Sequence, residues 1–213
     1  GIGHWEVDLA SNIVAVYKMP VCIINGAIGG TRIDVHRPNP ANHALPLGSG
    51  WGENSYADLY NRIVGAKLTH GIRGLLWHQG EQDQGSEGPD GDYDYKFYQQ
   101  YFLDISAAWK QDFPNIQRYI VWQVMPAPCA MGPVGDQLRE AQRTLPRMFS
   151  NIDMLNTLGV AGYEGCHFSP TGYANFALRL EPLVGKDYYN VNSNVVVTAA
   201  NLVRAYYTTT ART

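Results

Sequence analysis

Short β-branched runs alternate with stretches of helical spacing along nearly the whole chain, and this alternation restricts the fold more than any other feature. Pro20-Val21-Cys22-Ile23-Ile24-Asn25, Ile72–Trp77, Tyr119–Met125 and Ile152–Leu155 are apolar and short enough for buried strands. Between them, residues 5–18 put Trp5, Leu9, Ile13, Val16 and Tyr17 on one helical face. Glu53–His70, closed by Gly71, does the same with Tyr56, Leu59, Tyr60, Ile63 and Val64, and Lys67 lies along the edge. Phe97–Trp109 carries the strongest stripe, Val134–Phe149 is also helical, and Thr171–Leu183 opens at Ser169-Pro170 with cap and first-turn chemistry. Strands alternating with helices predict an α/β fold, a parallel sheet covered on both faces. In such sheets chemistry gathers at the carboxyl ends of the strands.

The 213 residues fit one domain over 1–190, with 191–213 as a C-terminal extension that reads as the start of a further β-rich region. Hydrophobic residues at 45% and charged residues at 16% suffice for a core. A net charge of -3 argues against a nucleic-acid partner, which a basic face would attract. No apolar run approaches the ~20 residues of a membrane helix, so no membrane partner is expected. The opening Gly1-Ile2-Gly3-His4-Trp5 and the closing Tyr206–Thr213 read as a chain cut from a longer one. Cys22 sits in an apolar run as a buried thiol, whereas Cys129 and Cys166 could pair in an oxidising compartment. The 14 Tyr and 5 Trp serve mainly the core, with sugar stacking open to a few.

Three polar segments leave predicted strand ends. His78-Gln79-Gly80-Glu81 follows Gly74-Leu75-Leu76-Trp77 directly. Such a turn suits oxyanion binding or substrate orientation, because a Gln amide offers two uncharged N–H donors; it equally suits plain satisfaction of backbone groups. Gly29-Gly30-Thr31 lets backbone N–H groups approach a ligand, or is simply a tight turn. In Glu164-Gly165-Cys166-His167, a carboxylate three residues before a histidine can fix its tautomer and leave Nε2 as a general base. His78, Glu81, Asp83 and His167 are metal-ligand types, but no pair has the His-x-x-x-His spacing of a helical zinc site.

Together these segments resemble the SGNH-hydrolase superfamily, in the branch of sialate O-acetylesterases and acetylxylan esterases. The resemblance rests on Pro20–Asn25 running into Gly29-Gly30-Thr31-Arg32-Ile33, on Leu75-Leu76-Trp77-His78-Gln79-Gly80-Glu81, on Leu138-Arg139-Glu140-Ala141-Gln142, and on the loop at His167. It covers about residues 3–184, and the Trp-His-Gln-Gly-Glu string is its most specific part. It implies a three-layer α/β/α sandwich with a flavodoxin-like parallel sheet. It also implies secretion or periplasmic export, and hydrolysis of acetyl esters on sugars by a Ser-His-acid arrangement without metal or cofactor. His167 would be the base and Glu164 its orienting acid, standing where the family usually has Asp. Gly29 or Gly30 and Gln79 would donate to the oxyanion, and His78 and Glu81 would shape that turn.

The same resemblance places the nucleophilic serine in a Gly-x-Ser turn after a first strand, upstream of the glycine pair. No such strand and turn occur here: Ser11 lies in a helical pattern and Ser49 in a loop. The serine is therefore expected outside the given sequence, on a missing N-terminal segment or a complementing chain, and the fragment alone is expected to be inactive. A non-catalytic carbohydrate-binding remnant of the same fold, or an esterase for lipid or thioester substrates, are the other functions this pattern allows.

Overall fold

The computed structural model describes residues 4–84, 95–126 and 135–192, with residues 194 and 197. Helix α1 spans His4–Tyr17 and α2 Ser55–Gly65, with a short 3-10 turn at Ile33–His36 between them. Strand β1 (Gly74–Trp77) runs into a second 3-10 turn at Glu81–Gln84. Then come α3 (Tyr95–Asp112), β2 (Arg118–Gln123), α4 (Gly135–Met148) and β3 (Ile152–Asn156). A small hairpin of β4 (Tyr163–Glu164) and β5 (His167–Phe168) leads into α5 (Pro170–Tyr189).

The three longer strands form a parallel sheet in the order β1-β2-β3, with Leu76 beside Ile120 and Ile120 beside Asp153. Alternate residues of β2 feed two cores. Tyr119 and Val121 pack with Trp77, Tyr98, Phe102 and Trp109 from the side of α2, α3 and α4. Ile120 and Trp122 pack with Leu9, Ile13, Phe176 and Leu180 from α1 and α5. Both faces are thus covered by helices, the layered α/β arrangement the alternation predicts. Ser169 caps α5 as expected, its Oγ accepting from Gly172 N–H at 3.1 Å. Among the described residues, no helix is long and apolar enough to cross a membrane.

Two elements differ from expectation. Pro20–Asn25 takes no regular secondary structure and joins no ladder. Its side chains still alternate as a strand's would, with Val21 packed on one core and Ile24 on the other. The cause is the lack of a neighbour: β1 is the edge of the sheet, and a groove of about 750 Å³ separates it from residues 19–28. Helix α2 stops at Gly65 rather than near Gly71, because Lys67 takes a left-handed backbone (φ 60°) and ends the helix. Cys22 is exposed in the wall of that groove and not buried. Cys166 is disulfide-bonded; Cys129, the partner considered for it, lies outside the described residues, as does most of 191–213.

Candidate active site

The turn after β1 and the glycine turn meet at one end of the sheet. Gln79 Nε2 donates to the Thr31 carbonyl at 3.0 Å and to Asp83 Oδ2 at 2.5 Å. Both acceptors require N–H, so both amide hydrogens are consumed and the buried Oε1 is left without a partner. In this arrangement Gln79 has no donor to spare for an oxyanion. The oxyanion role expected from the motif is set aside here by Asp83, whose carboxyl takes the amide. Asp83 sits in the 3-10 turn, is 1% exposed, and also accepts from the Ile33 N–H at 3.1 Å. Burial pushes its carboxyl up to about 7, against the pull of the Gln79 and Ile33 hydrogen bonds.

The Gln79 carbonyl is fixed from beneath. Tyr98 Oη donates to it at 2.9 Å and Gln142 Nε2 at 3.0 Å. Gly80 follows with φ 137°, and a Cβ there would come 2.7 Å from Gln142 Nε2, so only glycine fits. The Leu138–Gln142 part of the motif thus works through Gln142, which holds the Gln79 turn to α4.

His78 leaves the same turn on the opposite side. Its ring stacks near Trp122 (5.9 Å) and Phe176 (5.5 Å), and its Nε2 lies 3.1 Å from Glu81 Oε1. Burial acts to raise the Glu81 carboxyl, but the charge and hydrogen bond of His78, its own backbone and the charge of His167 outweigh it and hold it low. His167 is therefore within electrostatic reach of Glu81. His167 opens β5 and pairs with Glu164 across the two-residue turn Gly165-Cys166. Directly opposed residues project on one face of a hairpin, so the two side chains share a side. Both are exposed, and no hydrogen bond joins them. Among the described residues no serine hydroxyl bonds His167 either, and the Oγ of neighbouring Ser169 is engaged at its helix cap.

A Ser-His contact does occur elsewhere, and nothing in the sequence signals it. Thr31 Oγ1 donates to the Ile28 carbonyl at 2.8 Å, so it accepts from His36 Nε2–H at 2.7 Å, and His36 Nδ1 accepts from Ser55 Oγ at 2.9 Å. Ser55 and His36 are 2% and 6% exposed, and burial pushes the imidazole down to about 4, opposed by Asp34. A base so weakened, in so closed a site, fastens the Gly29–His36 segment to α2 and is unsuited to activating a nucleophile. Its residues are nineteen apart with no motif between them, so only the fold reveals the pair.

Gly29 and Gly30 have open space where a Cβ would stand, and Gly30 has φ 70°. The structure therefore brings Gly29-Gly30, Gln79, His78 and Glu81 together at the carboxyl end of β1, where His78 and Gln79 also line the groove. His167 lies within electrostatic reach of Glu81, and Glu164 stands opposite His167 on the hairpin.

The chain resembles a solved protein from Arabidopsis thaliana with a TM-score of 0.65 and 19% identity, over 88% of this chain and 70% of the other. It resembles a carbohydrate acetylesterase from Xanthomonas citri with a TM-score of 0.65 and 18% identity, over 88% of this chain and 41% of the other. At such identities the likeness is one of fold. None of the curated proteins matches the chain. The family profile described as "Carbohydrate esterase, sialic acid-specific acetylesterase" matches residues 5–184. With that profile running through nearly all of its described length, the chain belongs to this family of carbohydrate esterases.

Proposed function

We propose that this chain forms most of the catalytic domain of a secreted or periplasmic carbohydrate O-acetylesterase, cleaving acetyl esters on sugars of the sialic acid or xylan type. The observation that carries the reading is the meeting of the glycine turn and the His78–Glu81 turn at the carboxyl end of β1, with His167 within electrostatic reach of Glu81. In this mechanism a serine on a strand from outside residues 1–213 seats in the groove between Pro20–Asn25 and β1, and its hydroxyl reaches His167. His167 takes the proton as serine attacks the acetyl carbon, and returns it to the departing sugar oxygen. Backbone N–H groups of Gly29-Gly30 receive the oxyanion, and Gln79, clamped between Thr31 and Asp83, keeps that turn in place. Glu164 orients the imidazole from across the hairpin.

Among the described residues the β1 edge is unpaired and faces the groove, which leaves room for a further parallel strand to satisfy its backbone groups and so supports this reading. A second reading, a carbohydrate-binding remnant without turnover, is favoured by the lack of any serine hydroxyl bonded to His167 among the described residues. One assay separates them. The full-length protein should hydrolyse p-nitrophenyl acetate and an acetylated sugar, its His167→Ala variant should be slower by ~10²–10⁴-fold, and residues 1–213 alone should show residual turnover only. A full-length protein that binds the sugar without cleaving it establishes the remnant, and full activity in His167→Ala removes the mechanism.

A further inference from the structure

We infer that Trp51 is a sugar-stacking platform at the lip of this site; the substrate class rests on the esterase reading above, the geometry does not. Trp51 is 73% exposed, the most exposed of the large hydrophobic residues described. Its indole N–H donates to the Gly29 carbonyl at 3.1 Å, which fixes the ring beside the glycine turn. The space next to that turn is open, for a Cβ at Gly29 or Gly30 would touch nothing within 4 Å.

The loop that presents the ring is fastened on both sides. Gly50 N–H donates to the Glu53 carboxylate at 2.6 Å and Leu47 N–H to the Glu53 carbonyl at 2.8 Å. Ser55 N–H donates to the Gly52 carbonyl at 2.9 Å, where α2 begins. Gly52 has φ 88° and lies so close to Thr31 that a Cβ would come 2.5 Å from its Cγ2. An exposed indole gains nothing for the fold by being held this firmly, since its faces remain in water. Held in place, it loses little freedom when a ligand covers it.

The chemistry of the ring selects the ligand. Its one polar group is occupied by Gly29, so what it offers is a flat apolar face with negative π density. The complement is the C–H face of a pyranose ring, whose axial hydrogens are weakly positive and apolar. The charge of Arg32 is partly offset by Asp34, whose two oxygens accept from its guanidinium at 2.9 and 3.2 Å. Trp51 would stack the sugar that bears the acetyl ester, or its neighbour in the glycan, while the ester carbonyl reaches the Gly29-Gly30 backbone.

Calorimetric titration of the full-length protein carrying His167→Ala, which leaves the esters intact, tests this with acetylated methyl xyloside and O-acetylated sialic acid as probes. Adding Trp51→Ala should weaken binding of the preferred sugar by ~10-fold or more, and Trp51→Phe should stay within ~3-fold of the parent. Equal affinity in Trp51→Ala, or no binding of either sugar by the parent, overturns the platform. Binding that depends on Trp51 in a full-length protein that cleaves neither sugar upholds the platform and removes the esterase reading instead.

Discussion

The side-chain amide of Gln79 stands 2.5 Å from the Asp83 carboxyl, and the two together hold the segment of the glycine pair, Gln79 through the Thr31 carbonyl and Asp83 through the Ile33 N–H. Removing it with Gln79→Ala leaves a buried carboxylate short of a donor, at a cost of about 1–3 kcal/mol. Melting should fall by several degrees and kcat by about tenfold, since the glycine turn loosens. A kcat loss of ~10²–10³-fold at unchanged melting temperature would show that the amide swings to the oxyanion during turnover.

Asp83 and His36 make opposing contributions to stability against pH. Asp83, raised from 3.8 to about 7 by burial, keeps its proton in the folded chain where the unfolded chain has lost it. Its contribution is full below 3.8 and is lost as pH rises through 7. His36, lowered from 6.5 to about 4 by burial, stays neutral where the unfolded chain is charged, so its contribution is full above 6.5 and lost as pH falls to 4. Each slope is about 1.4 kcal/mol per pH unit, and over the shared window they cancel. Urea unfolding of Asp83→Asn should therefore gain stability as pH rises across that window, and His36→Gln should lose it. Parallel profiles for parent and both variants would remove these groups from the pH response.

Two carboxylates compete to orient His167. Glu164 faces it across the hairpin, whereas Glu81 is held by His78 at 3.1 Å. If Glu164 orients the ring, Glu164→Gln lowers kcat by ~10²-fold or more and shifts the acid limb of kcat/KM, while Glu81→Gln acts chiefly on stability. The reverse pattern transfers the role to Glu81.

Gly80→Ala should be among the most damaging small changes in the domain. Its φ of 137° excludes a side chain, and the new Cβ would press on Gln142 and on Val124 at 3.1 Å. A loss of about 2–4 kcal/mol is expected, read by denaturant unfolding. A loss below about 1 kcal/mol would mean that the turn has another conformation open to it.

What the residues disclosed in advance was whatever their periodicity encodes. The stripe of Tyr98, Phe102, Ile105 and Trp109 is buried where it was predicted to be, and so are the alternate faces of β2. Pro20–Asn25 has a strand's composition, yet pairing is a property of two segments, and among the described residues none lies within pairing distance of it. The site follows the same division. Motif order located the turns, and parallel topology put them at one sheet end. The distribution of hydrogens within them was not legible, because Asp83 competes for Gln79 and His36 reaches Ser55 only through tertiary contact.

The groove carries its own chemical probe. Cys22 is a free, exposed thiol in the wall that Pro20–Asn25 provides. Whatever seats against that wall screens the sulfur, so the rate at which Cys22 is alkylated measures occupancy directly, without any substrate and whether or not the occupant is catalytic.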